Sequence, residues 1–142
     1  MIYTKNTERA LQLCFEAHKD QTDKSGVPYV FHPFHLAEQM ETEETIIVAL
    51  LHDVMEDTDC TAEDLKKEGF DDNIIEALLL LTHKKGVDYL DYVKKIKSNP
   101  IARAVKLADL RHNSDLSRLH VVDSKALQRV ETYKKAMALL LE

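Results

Sequence analysis

The 142-residue chain has no tryptophan, three glycines, three prolines and two cysteines. Each shortage excludes something. So few glycines and prolines leave little to break helices or to build the closely spaced turns of a β-sandwich, so the chain reads as mostly helical. Cys14 and Cys60 are too few and too far apart for a disulfide framework or a cysteine zinc site. Cys14 falls among apolar residues at helical spacing and reads as a core thiol, which suits a reducing cytoplasm. No apolar run approaches the ~20 residues of a membrane span. The opening Met1-Ile2-Tyr3-Thr4-Lys5-Asn6 is too polar for a secretory signal. Positive charge is in deficit, with 19 Lys and Arg against 25 Asp and Glu and a net charge of −6. That argues against a nucleic-acid polymer or an anionic membrane as partner. A small anionic ligand held by a few local cations stays open. The length suits one domain over residues 1–142 with one core.

Apolar residues at Ala10, Leu11, Cys14, Phe15 and Ala17 predict a helix over 7–20, with Thr7 as N-cap. Gly26 and Pro28 mark a loop over 21–31, and His32-Pro33 opens a short helix to about Met40. Thr42 caps the next helix, whose run over 46–51 reads as buried nearly all round and which carries on through His52 and Asp53. Thr61-Ala62-Glu63-Asp64 resembles a capping box, opening a helix that stops at Gly69. Asp72 starts a leucine-rich helix ending near Gly86, and a more polar helix runs from Asp88 to about Ser98. Asn99-Pro100 pairs an Asn cap with Pro at the first helical position. It starts a helix carrying Lys106, Asp109 and Asn113. Ser124 caps a last helix with Leu127, Val130, Met137 and Leu140 on one stripe. The expectation is an all-α bundle of about eight helices. The leucine-rich helix and the last one could bury their stripes within the domain or across a homo-oligomer.

The chemistry gathers where the buried run ends. His52-Asp53 is followed one turn on by Glu56-Asp57, four proton-active groups that an apolar stretch does not need and a hydrolytic metal site does. His32 and Asp109 lie on other helices. Two imidazoles and two carboxylates suit a divalent ion such as Mn²⁺, Fe²⁺ or Zn²⁺ better than Ca²⁺. A six-coordinate ion would leave positions for water and a phosphate oxygen, polarising the one and acidifying the other. Glu56 and Asp57, four residues after His52 and Asp53, share their helix faces and could orient or deprotonate the water. Lys106 and Asn113 flank Asp109 by about a turn on either side, within reach of a ligand beside the ion. Spacing alone leaves another reading open. Glu56, Asp57 and Asp59 also fit an acidic, solvated helix end, and Asp109 could pair with Lys106 or Arg111.

Four blocks together carry more than spacing. They are Ala17-His18 through Lys24-Ser25-Gly26-Val27-Pro28-Tyr29, then His32-Pro33 with Leu36-Ala37. Ala49-Leu50-Leu51-His52-Asp53-Val54-Met55-Glu56-Asp57-Thr58 follows, and last comes Val105-Lys106-Leu107-Ala108-Asp109 with His112-Asn113. In this order, over about residues 8–120, the chain resembles the HD-domain phosphohydrolases, and specifically the hydrolase domain of the RelA/SpoT family. The resemblance implies an all-helical HD domain binding one Mn²⁺ through His32, His52, Asp53 and Asp109. It implies that Glu56 and Asp57 activate water and that Asn113 holds the nucleotide sugar; Lys24 and Lys106 join Asn113 as candidate substrate-binding residues on their position alone. The implied reaction removes the 3′-pyrophosphate of (p)ppGpp, giving GDP or GTP and pyrophosphate. The chain is too short for the synthetase and regulatory domains of the long members and resembles the small stand-alone hydrolases.

One position departs from the pattern. The family usually carries, just before Lys-Ser-Gly, an Arg that packs on guanine, and here that position is Asp23. A carboxylate cannot supply the planar cationic surface. Hydrolysis of another nucleoside phosphate therefore stays in view, as does a non-catalytic metal- and nucleotide-binding sensor, against which the Glu56-Asp57 pair argues. Tyr89, Tyr92 or Lys24 could hold a base differently, or be half-buried aromatics and a solvated lysine. If guanine stacking is what is missing, Asp23→Arg should lower KM. His18 could support the site as a donor behind the ligands. His35 faces outward or packs, and His83 sits at a helix C-terminus, where a cation is favourable without function. His112 could reach phosphate or be structural, and His120 reads as surface. Arg111, Arg118 and Lys106 are the nearest cations for a pyrophosphate, and each could equally be half of a surface ion pair.

Overall fold

A computed structural model describes Met1–Glu142. It contains nine α-helices: α1 (Lys5–His18), α2 (Phe31–Glu38), α3 (Glu43–Leu51), α4 (Val54–Asp57), α5 (Ala62–Lys67), α6 (Asp72–Leu81), α7 (Tyr89–Ile96), α8 (Pro100–Asn113) and α9 (Ser124–Leu141). A 3₁₀ turn, Leu116–Arg118, joins α8 to α9. The only β pairing is an isolated bridge between Thr22 and Pro28, so the all-α expectation holds. None of the helices is long and apolar enough to cross a membrane.

The architecture is organised around α3, which packs against α1, α2, α6 and α8. Ile46, Ile47, Val48, Ala49, Leu50 and Leu51 are each 0% exposed. A helix apolar on every side has to be enclosed on every side, and the four neighbours do that. Leu36 and Ala37 on α2, Leu78 on α6 and Val105 and Leu110 on α8 belong to the same core. The apolar stripes of α6 (Ile74, Ile75, Ala77, Leu78, Leu81) and α9 (Ala126, Val130, Ala136, Leu140) are buried within the chain.

Several boundaries differ from the sequence reading, each for a local reason. α1 starts earlier, because Thr4 is its N-cap and Thr7 is the reciprocal partner in a capping box. α6 stops at Leu81, with Thr82 extended, so His83 lies beyond the helix. α9 is capped by Asp123, whose side chain accepts from the Ala126 amide, and Ser124 is its first residue. Leu127 is half exposed and leaves the α9 stripe, which Ala126 occupies instead.

The helix count exceeds eight because the chain breaks between α3 and α4. His52 ends α3, and Asp53 opens α4 with φ −98° and ψ −5°, the sparsely populated bridge region where active-site residues often sit. His52 and Asp53 therefore occupy a joint, not consecutive positions on one continuous helix. The Asp57 amide still bonds to the Asp53 carbonyl, so the four-residue spacing survives the break.

Candidate metal centre

Three buried groups converge where α2, α3 and α8 meet. His32, His52 and Asp109 each offer one ligand atom, all within 4.8 Å of one another. His32 Nε2 lies 2.9 Å from Asp109 Oδ1, and His52 Nε2 lies 3.6 Å from the same oxygen and 3.1 Å from Asp53 Oδ2. Neighbouring ligands on a six-coordinate ion with bonds of about 2.1 Å stand about 3.0 Å apart. The observed separations are of that size.

The tautomer of His52 fits an ion as well. Its Nδ1–H donates to the Ala49 carbonyl at 2.6 Å, which leaves Nε2 as the ligand atom. That Nε2 is buried and makes no aligned hydrogen bond, although two carboxylates face it. Two carboxylates facing a buried imidazole nitrogen call for positive charge between them, either a proton on Nε2 or a metal ion. The donor set and its spacing thus fit a divalent metal ion. Burial alone would hold the His52 imidazolium down, but Asp53 and Asp109 outweigh it and raise its pKa well above the ordinary value.

Asp53 stands at the edge of this group. Besides facing His52, its Oδ2 accepts a short hydrogen bond from the Tyr29 hydroxyl. Burial would raise its pKa, but the charge and hydrogen bond of His52 reverse that and bring it to about 2. Asp109 is also buried, and the Lys106 charge with His32 and His52 takes it well below the carboxylate range. Lys106 Nζ donates to Asp109 Oδ2 at 3.0 Å and lies 5.5 and 5.3 Å from the ring centroids of Tyr89 and Tyr92. The two tyrosines therefore surround the lysine that compensates the buried acid, and Tyr92 spends its hydroxyl on the Leu81 carbonyl.

Glu56 and Asp57 are more exposed than the ligand cluster. Glu56 borders a cavity of about 140 Å³ that His52, Asp53, Lys106 and Asp109 also line. Its Oε1 accepts the His83 amide at 2.6 Å, which fixes it at the rim. Burial raises the pKa of both carboxyls, with Asp53 adding to the rise. Asp57 lines none of the larger cavities named here.

A second cavity, about 350 Å³, adjoins the cluster. Lys24, Ser25, Tyr29, Asn113, Arg118 and Tyr133 are among its walls. Two of these reach the candidate ligands directly: Tyr29 through Asp53, and Asn113, whose Nδ2 donates to Asp109 Oδ1 at 3.1 Å. Lys24 is exposed at the wall, while Lys106 belongs to the smaller cavity on the other side of Asp109.

Three participants were not among the candidate site residues read from the sequence. Tyr29 was legible only as part of a block. Its place three residues before His32, at the mouth of α2, is the signal that it turns towards the site. His83 supplies a backbone amide, which no side-chain pattern announces. His112 supports His32: the two Nδ1 atoms are 2.7 Å apart and the rings stack 5° from parallel. Burial, then Arg118, His32 and His35, push the His112 pKa down to about 4, so at neutral pH it is uncharged and can accept the His32 Nδ1–H. That leaves His32 Nε2 free for an ion. His35 is exposed and packs on the outer side of His112, with centroids 4.3 Å apart. His18 is fully buried against Tyr29 and makes no hydrogen bond to a candidate ligand. His120 and Arg111 are exposed.

The HD-domain family pattern matches residues 10–139. The chain belongs to the HD-domain family. Among curated relatives, the HD domain is 44% identical over 69 residues to the guanosine-3′,5′-bis(diphosphate) 3′-pyrophosphohydrolase of Aquifex aeolicus, covering 46% of this chain and 10% of that protein. It is 32% identical to a GTP pyrophosphokinase of Streptomyces coelicolor, over 91% of this chain and 17% of that one. It is 37% identical to the bifunctional (p)ppGpp synthase/hydrolase SpoT of Escherichia coli, over 63% of this chain and 12% of that one. The HD domain thus spans less than a fifth of the length of these relatives. A solved structure, described as a metazoan orthologue of SpoT that hydrolyses ppGpp, has the same fold, with a TM-score of 0.80 and 23% identity over 99% of this chain and 88% of that one.

Proposed function

We propose that this HD domain is a divalent-metal-dependent phosphohydrolase that removes the 3′-pyrophosphate of (p)ppGpp, releasing GDP or GTP and pyrophosphate. The observation that carries the reading is the shared wall. Tyr29 and Asn113 line a cavity of about 350 Å³, within the usual range for a small-molecule site, and both bond to carboxylates of the buried cluster. A nucleotide in that cavity has its phosphates beside the candidate ligands. The relatives named as a (p)ppGpp 3′-pyrophosphohydrolase and as a (p)ppGpp synthase/hydrolase support the same substrate.

His32, His52, Asp53 and Asp109 would hold the ion. When bound it supplies Lewis-acid polarisation of a phosphoryl oxygen and a lowered pKa for water. Mn²⁺ suits the mixed imidazole and carboxylate donors. The chain's own residues do the rest. Lys106 balances the buried Asp109 and holds its carboxylate ionised. Glu56, pinned by the His83 amide and raised in pKa by burial, is the better placed of the two candidate bases, and Asp57 assists from one residue further on. Water oxygen attacks the phosphorus attached to the 3′-oxygen, and its proton passes to Glu56. The bond from that phosphorus to the 3′-oxygen breaks, and the leaving 3′-oxygen is protonated from water, to which Glu56 returns the proton it took. Asn113, tied to Asp109, orients the sugar, and Lys24 meets phosphate or base at the cavity wall. The domain would act as a single unit in the cytoplasm, with its site built from one chain.

Purified protein supplied with Mn²⁺ is expected to release pyrophosphate from ppGpp. Release from another nucleoside phosphate in the panel, with none from ppGpp, would transfer the reading to that substrate. Metal bound with no release from any nucleotide would replace the enzyme by a sensor.

A further inference from the structure

Asp23 occupies the position at which the resemblance calls for a base-stacking cation, and the structure shows what it does instead. Its Oδ1 accepts the amides of Ser25 and Val27 at 2.8 and 3.0 Å. These bonds close the tight loop in which Gly26 takes φ 79°, a conformation natural to glycine. The other oxygen, Oδ2, faces Arg118 Nη2 at 3.8 Å.

Arg118 is held from more than one side. Its Nη1 donates to the His112 carbonyl at 2.8 Å and lies 3.5 Å from Asn113 Oδ1. Ser25 Oγ donates to the Arg118 carbonyl at 2.8 Å, so the loop and the 3₁₀ turn are fastened together at this residue. The side chain keeps 26% of its surface exposed, and it lines both the 350 Å³ cavity and a neighbouring one that opens beside His35 and His112. A pre-oriented, partly open guanidinium therefore stands on the cavity wall.

We propose that Arg118 provides the planar cationic surface on which the nucleotide base packs, and that Asp23 is the residue that positions it. This rests on the proposed nucleotide site. The neighbouring Asp23 carboxylate decides which part of the ligand comes here. A phosphate beside Arg118 would meet a carboxylate already paired with it, whereas a neutral base meets only the plane. Arg is suited to that contact by its flat, delocalised and permanently charged head. The expectation that Asp23→Arg would help substrate binding is reversed: an arginine at 23 removes the loop cap and sets a second cation against Arg118.

The test uses the full chain loaded with Mn²⁺ and three variants, Arg118→Gln, Arg118→Lys and Asp23→Asn, with retained folding checked by thermal melts. Asp23→Asn keeps an oxygen for the two amides and removes only the charge. Arg118→Gln is expected to raise KM for ppGpp by about 3- to 30-fold, the span of a cation–π contact, with kcat held within twofold. Arg118→Lys should not restore it, because the charge returns without the plane. Asp23→Asn should raise KM by a smaller factor. The same variants are titrated with GDP and with inorganic pyrophosphate, so that the inference is readable even if ppGpp turnover fails. Weaker GDP binding with unchanged pyrophosphate binding supports base packing. Equal weakening of both, full rescue by Lys, or no change in GDP affinity overturns it.

Discussion

Replacing His112 by Phe tests how the candidate metal centre is held. The phenyl ring can keep the stacked packing on His32, whose centroid lies 5.0 Å away, but it has no nitrogen to accept the His32 Nδ1–H. His32 is only 4% exposed, so water cannot easily replace the lost partner. A buried donor left unpaired costs about 1–3 kcal/mol. That strain falls on the tautomer which presents Nε2 to an ion. Loss of a group that orients a metal-bound imidazole typically weakens metal affinity by about 10- to 100-fold, or about 1.4–2.8 kcal/mol at 1.4 kcal/mol per tenfold. The two independent magnitudes agree. Calorimetric titration of metal-free wild type and His112→Phe with Mn²⁺ measures the difference directly. A folded variant that binds Mn²⁺ as tightly as wild type would refute the support assigned to His112.

Two further predictions bear on other parts of the molecule. Glu56→Gln, which keeps an oxygen for the His83 amide, should lower kcat by about 10²–10⁴-fold and leave Mn²⁺ affinity unchanged; parallel loss of both would undo the division between ligands and base. Cys14 is buried, and burial, with a further contribution from Asp53, pushes its thiol up to about 12 from a reference of 9.0. Between these values the folded chain keeps a proton that the unfolded chain releases. The thiol's contribution to stability is therefore complete below pH 9 and is lost as pH rises towards 12. Urea melts should show the stability advantage of wild type over Cys14→Ala shrinking by about 2–3 kcal/mol between pH 9 and pH 11. An advantage that is constant with pH would show that the thiol is not desolvated as the structure has it.

The all-helical class and the enclosed α3 could be read from few breakers and one long apolar run, because both follow from local chemistry. The convergence of His32, His52 and Asp109 could not be derived from spacing, since three helices far apart in sequence bring it about, and only the combined blocks pointed to it. The break after His52 was hidden for a different reason. Nothing in Leu-Leu-His-Asp-Val-Met stops a helix by propensity, and the bend accompanies an imidazole that bonds back to the Ala49 carbonyl. Caps at Thr42, Thr61 and Asn99 were legible, whereas the caps read at Thr7 and Ser124 lie at Thr4 and Asp123, each a residue type that caps as well as the one chosen. Asp23 was legible as a departure, but its use in closing a loop and facing Arg118 depends on contacts across 95 residues of sequence.

The ligand-bearing elements α2, α3 and α8 contact one another directly, while α5 reaches the bundle chiefly through α6. None of the three clustered ligands comes from the chain between Thr58 and Asn99, yet that stretch supplies His83, Tyr89 and Tyr92 to the rim of the smaller cavity. The fold therefore separates what must stay constant from what can vary. Insertions in the connections between α5 and α7, or exchanges of the side chains they turn to the cavity, can reshape the approach to the centre while the three-helix frame keeps the donors in register. A lineage built on this frame could change what it admits without rebuilding what it uses to react.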